Sequence, residues 1–298
     1  MAKLRNEPVD QATLLQYLET KSDFHFELKV LKMMRDLGLP CEHGGHYVDP
    51  VTRKSREFDI RCRVAVGPLR VQLAIECKNI KPNFPLLVTA LRRSVGESYH
   101  DAALVADREE QGYGPLNIST LGPPRPRARS HRFHGRRTMY AEGEPVGKST
   151  TQVGISLGKE AELVAGDSEV YEKWSQCLSS LEDLVGEIEG MRDAADKRGS
   201  VLAIALPVLV VPDGTLWQTV YGDDGARIDD PCQVSRVSIY VGKDYSLGLL
   251  NGDDFVVSHF EVMTASGLEN FARQSLTSRE AMSQVFFGGA DPARVPAG

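Results

Sequence analysis

The sequence contains no hydrophobic run approaching the roughly 18 residues that an α-helix needs to cross a bilayer. Residues 1–8 also lack the apolar core of a secretory signal peptide. Cysteine is scarce, with five residues and no C-x-x-C spacing among them, so neither a disulfide framework nor a common zinc motif is indicated. These absences predict a cytoplasmic protein without a membrane partner, whose cysteines are reduced thiols.

An excess of positive charge is missing as well, because the chain of 298 residues has a net charge of −6. The charge is unevenly distributed, however. Residues 121–140, which we call the arginine-rich segment, carry six arginines and no acid, so the remainder of the chain is at −12 (29 cations minus 41 acids). Such a concentration of cations is suited to a nucleic-acid backbone. The predicted contacts are Arg125, Arg127, Arg129, Arg132, Arg136 and Arg137, together with Lys148.

Proline and glycine interrupt the arginine-rich segment, so it is predicted to be an extended or mobile loop. The alternative to a nucleic-acid contact is a disordered basic linker that is solvated along its length.

Two segments flanking Gly67-Pro68 alternate polar and apolar residues with period two, which is typical of strands. Residues 57–66 and 69–78 therefore predict an antiparallel hairpin. If the hairpin is symmetric about its turn, Asp59 lies directly opposite Glu76. The proline favours a loop longer than two residues, and any symmetric loop keeps this register.

Lys78 shares a face with Glu76, because residues two apart on a strand point the same way. Opposed carboxylates on neighbouring strands are destabilising unless something lies between them. A Mg²⁺ ion bound between Asp59 and Glu76 would remove the repulsion between their carboxylates, and Mn²⁺ is expected to substitute for Mg²⁺. Lys78 would then hold a water nucleophile or stabilise charge on phosphate oxygens. The alternative is a surface hairpin with a Glu57–Lys78 ion pair and two solvated carboxylates.

A helix is predicted before the hairpin, starting near Ser22 and ending at Gly38. Glu27 falls inside its apolar stripe, where a carboxylate is costly unless it is paired, protonated or coordinated. Glu27 is therefore expected either to join the acidic cleft or to reach water from the edge of the stripe. The predicted stripe consists of Phe24, Leu28, Leu31 and Met34.

Glu27, Asp59 and Glu76-Cys77-Lys78, in the order helix, strand, turn, strand, resemble the PD-(D/E)XK nuclease superfamily. The resemblance covers residues 20 to about 106. It implies that Asp59, Glu76 and the backbone carbonyl of Cys77 bind the metal. Lys78 would be the catalytic lysine, and Glu27 a further catalytic acid or metal ligand.

The resemblance implies an α/β fold with a restriction-endonuclease-like core, in which helices flank a mixed central sheet. Residues 44–49 would form its first strand, residues 84–97 a crossover helix and residues 102–106 a further strand. The apolar run at residues 201–211 is typical of an interior strand and is predicted to extend the same sheet. Pro207 would lie at a bulge or a strand junction, since it has no N–H to donate.

A single domain is therefore expected over residues 1–285, with an insertion at about 108–150 and a flexible tail at 286–298. The predicted function is metal-dependent hydrolysis of phosphodiester bonds, with DNA favoured over RNA and endonuclease over exonuclease action. Defence against foreign DNA or repair would follow by analogy. A homodimer or partner-controlled activation is compatible with this function. The alternative is a catalytically silent module of the same fold that binds nucleic acid or a partner protein.

Overall fold

The computed structural model describes residues 7–106, 127–156, 161–189, 191, 200–246 and 254–289 and has an α/β fold, a large mixed sheet flanked by helices. The helices are α1 (Gln11–Thr20), α2 (Phe24–Asp36), α3 (Ser168–Glu189), α4 (Ala265–Ser275) and α5 (Arg279–Phe286). In the part of the chain just given, none of the helices combines the length and the apolar character needed to span a membrane.

The strands before α3 are β1 (Cys41–His43), β2 (His46–Val48), β3 (Ser55–Glu57), β4 (Ile60–Val66), β5 (Leu69–Cys77), β6 (Leu86–Arg92), β7 (Tyr99–Ala106), β8 (Arg127–His134), β9 (Pro145–Ile155) and β10 (Leu163–Gly166). Those after it are β11 (Ser200–Val211), β12 (Leu216–Tyr221), β13 (Arg227–Gln233), β14 (Arg236–Ser246) and β15 (Asp254–Thr264). The main sheet runs β1-β4-β5-β11-β15-β14-β9-β6-β12-β13, while β7 pairs with β11 and β8, and β10 with β9. β2 and β3 form a separate pair.

The β4–β5 hairpin has the predicted register. Val66 pairs with Leu69 and Ile60 with Ile75, so Asp59, one residue before β4, is next in line with Glu76. The turn has two residues, shorter than expected, because Gly67 adopts a φ of 61° and the following proline suits the negative φ of the second position. The strand predicted over 57–66 is interrupted at Phe58, and β3 pairs with β2, so the Glu57–Lys78 pairing is wrong.

β11 joins the two halves of the chain, as predicted. It runs parallel to β5 along Leu202–Val210 and parallel to β15 along Val208–Val211. On the edge away from β5, β11 pairs with β7 along Ser200–Ala203 and with β15 from Val208 onward. Pro207 lies between the β7-paired and the β15-paired stretches, where its nitrogen needs no hydrogen bond on that edge. It therefore marks a strand junction.

The crossover helix predicted over residues 84–97 is wrong. This segment forms β6, between β9 and β12, and then a 3₁₀ helix at Val95–Glu97. Leu86, Val88 and Ala90 are buried while their neighbours are partly exposed, which is a period of two. The apolar residues at 86, 87, 90, 91 and 95 fit a helix as well, and the pairing with two strands decides the outcome.

The arginine-rich segment also differs from its prediction, since the described part is not a mobile loop. Residues 127–134 form β8, antiparallel to β7, and Gly135–Arg137 form a 3₁₀ helix. Lys148 lies in β9. Among the strands that the structure describes, β8 has a single neighbour, and cations on such an edge strand discourage pairing with other chains.

Helices cover both faces of the central strands. One hydrophobic core joins α2, α4 and α5 to the odd-numbered side chains of β5, and a second core joins α3 to the opposite face. The buried residues of α2 are Phe26, Val30, Leu31 and Met34, so half of the predicted stripe is wrong. Phe24 and Leu28 are instead exposed.

Two expectations about the rest of the chain need correction. Cys41 and Cys62, which lie opposite each other on β1 and β4, form a disulfide and are not reduced thiols. Phe286 and Phe287 are fully buried, so any tail begins later than residue 286. Residues 290–298 lie outside the described residues.

Candidate active site

Two carboxylates and one ammonium group meet where β4 begins and β5 ends. The side chains are Asp59, Glu76 and Lys173, and the lysine comes from the second turn of α3. Lys173 Nζ lies 2.7 Å from Asp59 Oδ2 and 3.1 Å from Glu76 Oε2. The sequence predicts a divalent cation between the two carboxylates. The ammonium group of Lys173, which was not predicted, contacts both carboxylates there.

The alternation of side chains along β5 directs Glu76 toward α3. Ile75 and Cys77 point into the core with α2, so Glu76 between them faces the other side of the sheet. The facing side of α3 carries a polar stripe at spacings of three and four, which is one side of a helix. The stripe consists of Glu169, Lys173, Gln176, Ser180, Asp183 and Glu187.

Two arginines of β4 bind the C-terminal part of this polar stripe and so hold α3 against the sheet. Arg61 donates to Asp183 at 2.9 Å and to the Ser180 carbonyl at 3.0 Å. Arg63 donates to both oxygens of Glu187 at 2.7 Å. The helix is therefore fixed above the acidic pair by several independent contacts, and Lys173 enters the site as part of a rigid element.

Glu76 has the most perturbed environment of the three groups, with a side chain that is 1% exposed. Burial, and then the charge of Asp59, raise its pKa well above the usual range, while Lys173 opposes the rise. Burial disfavours charge on Lys173, yet Glu76 and Asp59 together raise the pKa of that lysine. One oxygen of Glu76, Oε1, is buried and has no hydrogen-bond partner among the described residues.

Asp59 is held by the backbone of the neighbouring strand. The Cys77 N–H donates to Asp59 Oδ2 at 2.8 Å, which fixes the carboxylate at the end of β5. The Cys77 thiol points into the core, and burial raises its pKa well above the usual range, so the thiol is neutral. Only the backbone of this residue belongs to the site.

Glu27 approaches the site from α2. Its carboxylate Oε2 lies 3.5 Å from Nε2 of His43, and its side chain is largely buried. Burial, followed by the charge of Asp59, raises the pKa of Glu27 to about 7. Asp59 therefore acts on Glu27 through its charge, whereas the nearest ionisable partner of the Glu27 carboxylate is His43.

Lys78 is not at the acidic pair. Its Nζ lies 3.1 Å from Asp23 Oδ2 and 3.2 Å from Glu169 Oε2, and so it links the start of α2 to the start of α3. Burial opposes its charge, but the hydrogen bonds to these two carboxylates raise its pKa. The geometry therefore gives the place predicted for Lys78 to Lys173.

The predicted nucleic-acid contacts are spread over several elements. Arg127, Arg129 and Arg132 lie in β8, Arg136 and Arg137 in the following 3₁₀ helix, and Arg125 outside the described residues. Arg132 donates to both oxygens of Asp101, at 2.7 and 3.0 Å, and Lys148 pairs with Glu97. Arg132 and Lys148 thus already neutralise a carboxylate.

The donor chemistry of the site fits a hard cation only in part. Asp59 and the unpartnered oxygen of Glu76 are the ligands that Mg²⁺ prefers. Lys173 competes for the same carboxylates, however. Within the residues that the structure describes, no cluster of three or more His, Cys, Asp or Glu side chains is suited to hold a metal ion.

Comparison of the chain with family models, with curated proteins and with solved structures finds no match.

Proposed function

We propose that this chain is a metal-dependent nuclease with a restriction-endonuclease-like core, which hydrolyses phosphodiester bonds of nucleic acid and prefers DNA. The observation that carries the proposal is the environment of Glu76. A buried carboxylate oxygen without a partner costs on the order of 1–3 kcal/mol or more, and here it adjoins a second carboxylate and a cation. Retaining such an arrangement is physically reasonable if the oxygen binds a ligand.

Asp59, Glu76 and the Cys77 carbonyl are the groups that would hold Mg²⁺ or Mn²⁺, with Glu27 as a further ligand or proton acceptor. The ion would polarise a phosphate oxygen and make a bound water more acidic. Asp59 is preorganised for binding because the Cys77 N–H fixes its orientation. Glu27, with a pKa raised to about 7, exchanges a proton near neutral pH, as a general base must.

Lys173 takes the role that the sequence analysis assigns to Lys78. Its ammonium lies between the carboxylates on a helix that several ion pairs hold in place, so it is positioned to stabilise negative charge that develops on phosphate oxygens. The exposed Arg136 and Arg137, which follow β8, would supply contacts to the phosphate backbone, and these contacts would weaken as the salt concentration rises.

The proposal is tested by cleavage of plasmid and single-stranded DNA with Mg²⁺ or Mn²⁺. We expect cleavage by the wild type and a loss of at least about 100-fold for Asp59→Asn, Glu76→Gln and Lys173→Met. Asp229→Asn, at an exposed position on β13, is the matched control and should cut normally. Cleavage that survives both carboxylate substitutions contradicts the proposal, and Lys78→Met shows which lysine is required.

A second candidate, a catalytically silent module that binds nucleic acid or a partner protein, is favoured by one observation. Lys173 already neutralises the acidic pair, so the fold does not need a metal ion to tolerate the two carboxylates. Calorimetric titration with Mg²⁺ separates the candidates. A nuclease binds the ion and loses binding in Glu76→Gln, whereas the silent module shows no heat of binding in either protein.

A further inference from the structure

The N-terminal helix α1 has an unusual environment, because every described side chain of the helix is exposed. It has 10 residues, with Asp10 as its N-cap. Isolated helices shorter than about 12–15 residues are marginal in water, so packing against another surface normally stabilises a helix of this length. The described part of this chain provides little such packing for α1.

The exposed side chains of α1 include a continuous apolar stripe. At about 100° per residue, the four side chains of Leu14, Leu15, Tyr17 and Leu18 fall within about 160° of the helix circumference. Their exposed fractions lie between 49% and 56%. We call these four residues the α1 patch.

The size of the α1 patch sets it apart from ordinary surface residues. If each side chain exposes on the order of 100 Å², the patch offers roughly 400 Å² of apolar surface on one molecule. This lies within the range for the largest patch of a typical monomer, about 300–600 Å², and such patches are often functional. It is about half of the roughly 800 Å² that each partner contributes to a stable protein–protein interface, so residues beside the patch would supply the rest.

We propose that the α1 patch is the interface of a twofold homodimer, in which α1 packs antiparallel against α1 of a second copy. A twofold axis level with Gln16 brings Leu14 opposite Leu18 of the second copy and stacks the two stripes. The same axis brings Asp10 about level with Lys21 of the second copy. The apolar centre is thus flanked at both ends by opposite charges, and the two helix dipoles run in opposite directions.

The proposed interface goes beyond nuclease activity and does not depend on it, yet it adjoins the candidate active site. Asp23, just after α1, accepts hydrogen bonds from the Asn79 N–H at 2.8 Å and from Lys78 Nζ at 3.1 Å. The Ser22 carbonyl accepts from the Asn79 side chain at 3.3 Å. The dimer would therefore fix the two acidic sites in a constant relative position.

The mass of the full-length protein in solution tests the proposal. Sedimentation equilibrium or light scattering should give twice the monomer mass of 32.8 kDa at micromolar concentration. Leu18→Asp places a charge in the apolar stripe of both copies and should weaken the dimer by at least about 100-fold. Lys21→Glu should weaken it by about 3- to 10-fold and reduce its dependence on salt.

Leu163→Asp is the matched control, because Leu163 is 81% exposed on β10 and lies outside the α1 patch. It should leave the dimer intact. Circular dichroism of each variant checks that the fold is kept, and α1 supplies too few residues for its fraying to mimic unfolding. A monomer at all accessible concentrations overturns the proposal. So does a dimer that Leu18→Asp does not weaken, or a monomer whose α1 patch binds lipid vesicles.

Discussion

Substitution of Lys173 by methionine removes the ammonium group from the acidic pair and keeps the length of the side chain. Asp59 and Glu76 are 10% and 1% exposed, so water replaces the lost hydrogen bonds poorly. Breaking a buried ion pair on one side costs about 3–5 kcal/mol. Since Lys173 itself is 16% exposed, we expect the lower end, about 3 kcal/mol at about pH 8.

The loss should depend on pH. Burial and Asp59 already raise the pKa of Glu76, and removal of Lys173 raises it further, because the lysine lowers it. A raised pKa favours the protonated carboxyl in the folded state, so stability is retained at low pH and lost as the pH rises through the folded-state value. The deficit of Lys173→Met should therefore be smaller at about pH 5 than at about pH 8.

Thermal unfolding at the two pH values measures both effects. A deficit of about 3 kcal/mol corresponds to a Tm lowered by roughly 5–10 °C in a chain of this size. Lys29→Met, at an exposed position on α2, is the control and should change the Tm by less than about 1 °C. Added Mg²⁺ should restore part of the lost Tm if the carboxylates bind it. A Lys173→Met Tm equal to that of the wild type at high pH refutes the reasoning.

Three further predictions concern other parts of the molecule. Glu27→Gln should be more stable than the wild type above about pH 7. The raised pKa of Glu27 makes the stability of the wild type fall as the pH rises from 4.5 to about 7, and glutamine does not ionise. Urea unfolding at several pH values measures the difference. Gly267→Ala should cost more than about 2 kcal/mol, since its Cβ would lie 2.0 Å from the Ser235 carbonyl oxygen, whereas Gly186→Ala meets nothing and should stabilise α3 by up to about 1 kcal/mol. Thiol titration of the folded protein should detect one reactive cysteine, Cys232, and three after unfolding without reductant, when Cys77 and Cys177 also become accessible.

Each of these predictions has a result that contradicts it. Glu142→Gln, at an exposed position, should not alter the pH dependence, and an equal effect of the two glutamine variants would remove the role given to burial of Glu27. Equal stabilities of the two alanine variants would contradict the close approach at Gly267. Five thiols after unfolding without reductant would show that Cys41 and Cys62 are not bonded.

The sequence predicts the parts of the fold that depend on local patterns. The β4–β5 register follows from alternation on both sides of a Gly-Pro turn, and β11 follows from an apolar run that suits a strand buried on both faces. β6 was not predicted, because its apolar positions satisfy a period of 3.6 as well as a period of two. Pairing with β9 and β12 resolves this ambiguity, and no local pattern contains that information.

The candidate site likewise depends on a contact between distant segments, which local sequence patterns do not reveal. Asp59 and Glu76 are brought together by a hairpin and were predicted, whereas Lys173 is 97 residues from Glu76 along the chain and was not. A signal was available in α3, whose polar stripe carries a lysine at the level of the acidic pair and acids at the level of the β4 arginines. Hydrophobic periodicity identifies the helix, but it does not identify the strand on which the polar stripe lies. The disulfide was missed for a similar reason, since opposition of Cys41 and Cys62 requires the pairing of β1 with β4.

The order of the central strands has a consequence for synthesis on the ribosome. β5 takes its second neighbour, β11, only after more than 120 further residues have been made, and Lys173 also emerges long after the two carboxylates that it joins. Until then, the nascent hairpin presents an unpaired strand edge and an uncompensated acidic pair. Chains that end before residue 211 should therefore aggregate or be degraded, and a stable N-terminal fragment containing only the acidic motif is not expected.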